Sequence, residues 1–554
     1  MAALFDEKIY KFSAQIFCEH GFIISCYNSN MSKNIFYKYL REINIFVFFG
    51  AALILLILIS IFLWKYILRP APLADILPLE DTVFYAQINV DPKNPQTSAF
   101  FDNLYLDNLS VDIKNQYQIL SEDIKPWISK SIGIAVILFQ NNLGVKPIVF
   151  AEVKNKSEAK KFLQKIAIKF KNDYPQENKY GKFTIYTYKF SQNFAFAFID
   201  NYLAAAENIE VMENFIDKIS ASFTPVSKIE EYKNANSDYF DLSLGHAYIN
   251  PNLLISAAIL SDKFSEEQKY LISNLKPVAD SFKNVFIKID AEKDYIKIKD
   301  ITNLKSVFLK NQEEYEASLA NYMPQDISLF YGGSNITQQI ESFGRHVKDI
   351  INIQIKSLIG DSILFERDIL PLLKGEYAFA IENNGSVLFA FKADDPISID
   401  KQIKTLMTAL KRSRLMLKTK IVEVELPNGD RQKESIEAEN MVISSETDYK
   451  GFKISGVKIE NAVWGVYYTL INNVVLIGSN ESAMKNMIDS FIEGKTLASS
   501  DTFKIFIKPL IRNSDEIFYM SAAKYFDLKP ISIITAGRKY EGSVIKTVYY
   551  LTKQ

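Results

Sequence analysis

The chain has 554 residues, and its 64 Lys and Arg against 65 Asp and Glu leave a formal net charge of −1. Because this balance provides no basic field for a polyanion, we expect no nucleic-acid partner. Hydrophobic residues make up 48% of the chain and aromatic residues 13%, enough for large cores, which excludes a disordered protein.

The most apolar stretch is an uncharged run over residues 45–64. A helix of about 20 residues spans roughly 30 Å, the thickness of the hydrocarbon core of a bilayer. The run is too long for the apolar part of a cleaved signal peptide, and Lys65 and Tyr66 follow it instead of a small-residue cleavage site. The sequence therefore predicts a transmembrane anchor over residues 45–68 that contacts the lipid bilayer through residues 45–64.

The charges beside this run predict its orientation. Lys33, Lys38 and Arg41 precede it, whereas Lys65 and Arg69 follow it. The positive-inside rule then favours a cytoplasmic N-terminal segment over residues 1–44 and an extracytoplasmic body.

The positions of the two cysteines and of a second methionine bear on the N-terminal segment. Cys18 and Cys26 both precede the anchor, so the body can hold neither a disulfide nor a thiolate metal site. Met31 opens a basic lead-in typical of a signal anchor. A start at Met1 and a start at Met31, with residues 1–30 mis-assigned, therefore both stay open.

Several segments of the body recur later in the chain in the same order. Residues 77–85 (LPLEDTVFY) return as residues 323–331 (MPQDISLFY), and residues 201–217 return as residues 473–489 with several identities. The pattern of residues 285–305 also resembles that of residues 532–553. Because such self-similarity is typical of a repeated unit, we expect two tandem lobes, residues 75–305 and 323–553, with a helical connector over residues 306–322.

Hydrophobic periodicity predicts the elements of the first lobe in chain order. Period-two alternation indicates strands over 83–90, 132–138, 147–153, 183–190, 194–206 and 239–248, and period 3.6 indicates helices over 97–106, 157–170 and 210–219. Ser157 stands where it would cap the second of these helices.

Short turns between neighbouring strands favour an antiparallel sheet over a parallel doubly wound one. The predicted fold class is therefore α+β, with helices on one face of a mostly antiparallel sheet in each lobe. Two insertions distinguish the lobes. The first lobe carries a helical insert over residues 253–282, and the second carries a hairpin over residues 411–447 with Asn428 and Gly429 at its turn.

The opening LPLEDTVFY after the anchor, and a strand running into a helix over residues 202–217, resemble bacterial membrane proteins of the domain-of-unknown-function family 3352. The resemblance covers most of residues 75–553, although the helical insert and the 411–447 hairpin depart from it. It implies an N-terminally anchored α+β envelope protein and brings no catalytic residue.

Motif searches assign no catalytic, cofactor-binding or metal-ligating residue, and we expect no cofactor. His20, His246 and His346 lack the spacing of a metal site, and His246 is interpreted as a structural residue of a strand. Ser157 matches a Ser-x-x-Lys spacing without its partner motifs. The Gly494-Lys495-Thr496 segment lacks the glycine that a phosphate-binding loop requires.

Other polar groups are interpreted as ordinary surface or loop. Glu80, Asp81, Glu152 and Asp326 lie near strand ends, where a glycosidase pair stays open but solvated surface is favoured. The segment 332–334 is interpreted as a loop after a strand. The basic residues between 411 and 420 are interpreted as a solvated helix face that could touch anionic lipid or a partner.

The expected function is that of a single-pass, membrane-anchored, extracytoplasmic protein with a non-catalytic binding or structural role in the cell envelope. Its expected partners are the bilayer and an envelope protein or polymer. Two alternatives stay open: an envelope hydrolase using carboxylates in an inter-lobe cleft, and an accessory subunit of a membrane complex that exposes an apolar patch.

Overall fold

The structure is a computed structural model that describes residues 72–553 except 92, 105–120, 140–142, 172–174, 189–190, 237–242, 262, 307–314, 343–344, 361–362, 412–417, 426–430, 439–441, 461 and 526–530. The predicted N-terminal segment 1–44 and anchor 45–68 therefore lie outside the described residues. Among the helices that are described, none combines the length and apolar character needed to cross a membrane.

Strands dominate the described chain, and all of their pairings are antiparallel. In chain order they are β1 (Thr82–Asn89), β2 (Ile128–Phe139), β3 (Gly144–Val153), β4 (Gln176–Tyr180), β5 (Phe183–Tyr188), β6 (Ser191–Ile199), β7 (Tyr202–Ala206), β8 (Gly245–Ile249), β9 (Phe282–Ala291), β10 (Tyr295–Leu304), β11 (Ile327–Ser334), β12 (Glu376–Glu382), β13 (Val387–Lys392), β14 (Lys418–Glu425), β15 (Arg431–Ala438), β16 (Val442–Tyr449), β17 (Phe452–Ile459), β18 (Gly465–Ile471), β19 (Val474–Gly478), β20 (Glu516–Ser521), β21 (Ile531–Glu541) and β22 (Val544–Lys553).

The α-helices lie between the strands along the chain. In chain order they are α1 (Pro95–Leu104), α2 (Ser121–Ile124), α3 (Lys156–Lys171), α4 (Ile209–Ser220), α5 (Glu230–Asn236), α6 (Pro251–Leu260), α7 (Glu266–Ser273), α8 (Lys276–Ala279), α9 (Ile336–Ser342), α10 (Arg345–Ile359), α11 (Pro396–Lys411), α12 (Glu481–Glu493), α13 (Lys508–Ile511) and α14 (Ala522–Tyr525). The predicted α+β class with a mostly antiparallel sheet is confirmed.

The start of α3 differs from the prediction. The helix begins at Lys156, and the side chain of Asn155 accepts hydrogen bonds from the backbone N–H groups of Ser157 at 3.0 Å and Glu158 at 3.2 Å. Ser157 is therefore not the cap. Its N–H is one of the donors that the first turn leaves without a helical partner, and the amide oxygen of Asn155 satisfies it.

The described chain divides into two compact units. The first unit holds residues 72–306 and 543–553, and its strands pair in the order β4, β5, β6, β7, β3, β2, β1, β8, β9, β10, β22. The helical insert of this unit consists of α6, α7 and α8. Helix α6 packs against a small apolar cluster that includes Val83 and Val136.

The second unit holds residues 315–525 and 532–542. Its strands pair in the order β16, β17, β18, β19, β13, β12, β11, β20, β21, and β14 and β15 form a separate two-stranded sheet. Of the predicted connector over residues 306–322, the described part contains a 3₁₀ turn, Ser318–Asn321.

Each sheet packs helices on both faces, whereas the sequence predicted helices on one face. In the first unit, Tyr85 contributes to a core with Phe215 of α4, and the next residue, Ala86, contributes to a core with Leu163 of α3. Successive strand residues point to opposite faces, so these two cores lie on opposite sides of the sheet. In the second unit, α12 packs into one core and α11 into another.

The last strand belongs to the first unit. Strand β22 pairs with β10 along its whole length, from Tyr295 opposite Thr552 to Asn303 opposite Val544. Strand β21 instead pairs with β20 of the second unit. The sequence interpretation placed all of residues 323–553 in one lobe, because periodicity identifies a strand without identifying the strand that it pairs with.

Candidate functional site

The two acidic residues at the start of β1 lie in different surroundings. Glu80 is exposed, as expected for a solvated residue. Asp81 instead forms a mostly buried ion pair, with its Oδ2 atom 2.7 Å from Nζ of Lys218 on α4. This contact ties the start of the first strand to a helix of the same unit.

Glu152 is buried rather than solvated, which corrects the sequence interpretation. Its side chain lies in a hydrogen-bonded series on the first sheet: Gln87 Nε2 donates to Ser131 Oγ at 2.7 Å, and Ser131 Oγ donates to Glu152 Oε2 at 2.6 Å. Burial raises the pKa of Glu152, and hydrogen bonds from Ser129 and Ser131 act in the opposite direction. The arrangement holds the carboxyl group in place within the sheet.

The histidine that the sequence placed in a strand lies in β8, opposite Gln87 of β1 and Lys288 of β9. The His246 ring meets the Tyr85 ring edge-on, with 5.7 Å between centroids. Burial lowers the pKa of His246 to about 3, so the imidazole is neutral at physiological pH. This placement fits a structural histidine. His346 falls in α10, and His20 lies outside the described residues.

The segment that resembles a phosphate-binding loop has a different geometry. Gly494 ends α12 in the left-handed region with φ 69°, and Lys495 pairs with Glu493 at 3.0 Å. A phosphate-binding loop precedes the helix whose N-terminus it uses, whereas this segment follows one. Within the described parts of the chain, no group of three or more His, Cys, Asp or Glu side chains is placed to hold a metal ion.

One groove of the second unit brings Asp326 beside a carboxylate that the sequence analysis missed. This groove, of about 330 Å³, contains Asp326 and the buried Glu382. Asn383 donates to Asp326, while Glu382 accepts from Asn486 Nδ2 at 3.1 Å and from Asn384 Nδ2 at 3.3 Å. Burial raises the pKa of Glu382. Amide groups thus hold both carboxylate oxygens of Glu382.

A second cavity of the second unit, the Glu376 cavity, has a volume of about 370 Å³ and is lined by Tyr315, Glu316, Ser334, Gly375, Glu376, Lys392 and Asp394. The buried Glu376 carboxylate accepts from the backbone N–H of Leu319 at 2.9 Å and from Ser318 Oγ at 2.5 Å. Lys392 Nζ lies 2.9 Å from Glu376 Oε2. One carboxylate therefore joins the 3₁₀ turn before β11 to the sheet and to a partly exposed ammonium group.

Two glycines of β11 make room for the polar side chains around them. A Cβ atom on Gly332 would lie 2.2 Å from Oη of Tyr315, and one on Gly333 would lie 2.7 Å from Oη of Tyr377 and 2.9 Å from Cγ of Glu516. The sequence interpretation of residues 332–334 as a loop is therefore wrong, since they continue the strand. Glycine inside a strand often marks such a close approach, and this was the signal that the sequence offered.

The Gly332→Ala variant is expected to destabilise the protein by about 1–3 kcal/mol, because its methyl group would displace the buried hydroxyl group of Tyr315. Adding Tyr315→Phe removes that hydroxyl group and should restore part of the loss. Denaturant unfolding of the wild type, both single variants and the double variant measures the coupling between the two positions. Equal losses from Gly332→Ala with and without the hydroxyl group would contradict the steric account.

A polar row crosses four strands of the second sheet. Tyr377 of β12 pairs with Gly333 of β11, Gly333 pairs with Glu516 of β20, and Glu516 pairs with Arg538 of β21. Tyr377 Oη donates to Glu516 Oε1 at 3.1 Å, and Arg538 donates to Glu516 Oε2 at 3.1 Å. The pKa of Tyr377 is raised by burial first and by the nearby Glu516 second. This row is a satisfied internal network in which Glu516 is the shared acceptor.

A family model matches part of the chain. Residues 114–423, more than half of the chain, match the family model described as "Protein of unknown function (DUF3352)". No curated protein matches the chain significantly.

Two solved crystal structures show a weak likeness. Crystal form I of TP0453 is 8% identical over 45% of this chain and 83% of that chain, with a TM-score of 0.25. Crystal form IV is 10% identical over 42% and 81%, with a TM-score of 0.26. Likenesses of this size bear on neither fold nor function.

Proposed function

The chain belongs to the DUF3352 family of proteins of unknown function. Since family membership alone assigns no role, we propose one. The protein is a single-pass membrane protein whose body lies outside the cytoplasm as a non-catalytic binding or structural component of the bacterial cell envelope. The observation that carries the proposal is the uncharged apolar run over residues 45–64, with more basic residues before it than after it.

The proposal includes a body built by duplication, with two units derived from one ancestral unit. Matching strand orders support it: β7–β3–β2–β1–β8–β9 in the first unit corresponds to β19–β13–β12–β11–β20–β21 in the second. Local details recur as well. Asn208 and Asn480 cap equivalent helices, and Asp200 and Asn472 adopt positive φ in equivalent turns.

A non-catalytic role is supported by the bonding of the buried glutamates. Glu152, Glu376, Glu382 and Glu516 each accept hydrogen bonds from groups of their own unit. Such bonds are what a buried carboxylate requires in a stable scaffold. The proposed partners are the bilayer, through residues 45–64, and an envelope protein or polymer.

One observation favours a hydrolase as the second candidate. Glu382 and Asp326 line the same groove, and a carboxyl group whose pKa is raised can act as a general acid. The hydrogen bonds that the side-chain amides of Asn384 and Asn486 donate to Glu382 favour a structural role instead. Glycan release by the wild type that falls at least about a hundredfold in both Glu382→Gln and Asp326→Asn would replace the binding role with this activity.

Membrane location is tested on intact cells. The full-length chain is expected to stay in the membrane pellet after alkaline carbonate extraction, and protease added outside the cells should digest the body while a cytoplasmic marker survives. Placing two arginines in the run, Leu55→Arg with Leu58→Arg, should release the chain from the pellet, since each costs about 3 kcal/mol at a helix centre.

Matched controls separate the anchor from general damage. Ile397→Arg with Val463→Arg changes two apolar residues that are 84% and 91% exposed, and this variant should stay in the pellet. A wild-type chain extracted by carbonate would refute the anchor. A body protected in intact cells and digested only after lysis would refute the orientation.

A further inference from the structure

The helical insert of the first unit presents large apolar side chains to solvent. Tyr270, Leu271 and Leu275 are 68%, 59% and 49% exposed, and Leu260 at the end of α6 is also exposed. Single apolar residues are ordinary on a protein surface, whereas a group of them within one short segment marks a contact surface.

Three of these side chains lie on one continuous helical path. The backbone stays helical from α7 into α8, because Leu275 has φ −84° and ψ −10° and its N–H donates to the carbonyl oxygen of Ile272 at 3.0 Å. Leu271 and Leu275 are therefore one turn apart on the same side, and Tyr270 extends the apolar surface around the helix. Gln268 is buried instead. Tyr270, Leu271 and Leu275 form the insert face.

The insert is an addition to the repeated unit. In the first unit 32 residues, 250–281, connect β8 to β9, whereas nine residues, 522–530, connect the equivalent strands β20 and β21. Since the second unit forms its sheet with the shorter connection, the sheet does not require the insert. The exposed apolar residues therefore belong to a feature that only the unit following the predicted anchor carries.

The proposed anchor brings a lipid surface close to this unit. Residues 65–71 separate the apolar run over residues 45–64 from the first described residue, and Leu73 already belongs to the core of the first unit. Seven residues reach at most about 25 Å when fully extended. An anchor over residues 45–64 holds the unit at the bilayer, where the high local concentration makes even a weak surface contact effective.

The charges around the insert face favour apolar attraction over electrostatic attraction. Residues 261–280 contain three lysines and four acidic residues. One of the lysines, Lys269, pairs with Glu266 at 3.0 Å. Because the segment has no net positive charge to attract anionic headgroups, its leucine and tyrosine side chains must supply the binding.

We propose that the insert face lies on the bilayer surface, with Leu271 and Leu275 among the upper parts of the acyl chains and Tyr270 at the level of the headgroups. Tyrosine prefers that level because its ring is apolar and its hydroxyl group is polar. The contact fixes the orientation of the first unit at the membrane, which a tether alone leaves free. The proposal rests on the membrane anchor of the proposed function and adds a second point of contact with lipid.

Lipid quenching of a label on the insert face tests this contact in the full-length chain. The sequence has two cysteines, so Leu271→Cys in a background of Cys18→Ser and Cys26→Ser carries one thiol for a nitrobenzoxadiazole label. In phosphatidylcholine vesicles that contain nitroxide-labelled lipid, quenching should be at least about threefold stronger than for the same label at Phe194→Cys, an exposed position on β6 of the same unit. Quenching should be equal at about 50 mM and about 500 mM salt.

Two pairs of substitutions test whether the apolar side chains hold the contact. Adding Tyr270→Gln with Leu275→Gln should lower the quenching of the Leu271→Cys label at least about twofold. The matched control, Ile397→Gln with Val463→Gln, removes two exposed apolar side chains of the second unit and should leave the quenching unchanged.

Equal quenching at Leu271→Cys and Phe194→Cys would overturn the proposal, as would quenching that the glutamine pair leaves unchanged or that high salt abolishes. A label shielded from aqueous iodide only when several chains share a vesicle, and unquenched by lipid, would assign the face to a second copy and also overturn it. Retention in the carbonate pellet tests the anchor separately. A retained chain with an unquenched label would therefore refute this contact and leave the envelope role standing.

Discussion

The Glu516→Ala variant is expected to lose about 2–4 kcal/mol of unfolding free energy in the second unit. Glu516 is 2% exposed and accepts from both Tyr377 and Arg538, so its removal takes away the carboxylate that a buried phenol and a guanidinium share. The upper part of the range usually found for broken buried pairs does not apply, because the Arg538 side chain is 39% exposed and water replaces part of the lost interaction. Denaturant unfolding of the full-length chain measures the loss.

Two comparison variants separate this effect from a general loss of stability. Glu516→Gln keeps the size of the side chain and one acceptor oxygen, so about half of the loss should remain. Glu493→Ala removes an exposed carboxylate that pairs with Lys495, and its effect should stay within about 0.5 kcal/mol. Hydrogen exchange should quicken in β11 and β20 and stay unchanged in the first unit. An alanine variant as stable as the wild type would show that the row carries no net stabilisation.

Some predicted elements of the first unit match the structure, whereas the segment 194–206, predicted as one strand, forms the two strands β6 and β7. The predicted strand over residues 147–153 lies within β3, and the predicted helix over residues 210–219 lies within α4. Both have strong periodicity and recognisable ends. The pairing of β22 with β10 could not be predicted in the same way, because an alternating strand fits either edge of either sheet.

The sequence pattern also did not show which helices pack on each face of the sheet. The segment Ile134–Ile137 of β2 is apolar at every position, and all four of its residues are buried. A continuous apolar run indicates burial on both faces, yet alone it does not show which helix covers which face. The tertiary contacts of α3 and α4 determine which helix covers which face.

The polar networks of the second unit were the least predictable part. Glu376 and Glu516 are ordinary glutamates in sequence. Strand pairing places Glu516 beside Arg538, and the 3₁₀ turn before β11 places Ser318 beside Glu376. Gly332 and Gly333 carried the one local signal, since adjacent glycines in a strand leave space that a partner side chain fills. Burial of Glu152 likewise depends on the neighbouring strands β2 and β7.

Acidification is expected to destabilise the first unit through His246. Burial lowers its pKa to about 3 in the folded protein, whereas a histidine in the unfolded chain has a pKa of about 6.5. The unfolded state therefore takes up the proton first. The stabilisation is complete above about pH 6.5 and is lost as the pH falls toward 3, which amounts to about 2–3 kcal/mol between pH 7 and pH 4.5.

The His246→Gln variant isolates this contribution, because glutamine keeps a polar side chain between Gln87 and Lys288 without a titrating group. Glu152 belongs to the same unit and acts with the opposite sign, since its pKa is raised and protonation favours the folded state. The wild-type profile alone would mix the two effects. The difference in unfolding free energy between the wild type and His246→Gln should therefore fall steadily from pH 7 to pH 4.5. A pH-independent difference would mean that the imidazole is accessible enough to charge within the folded sheet.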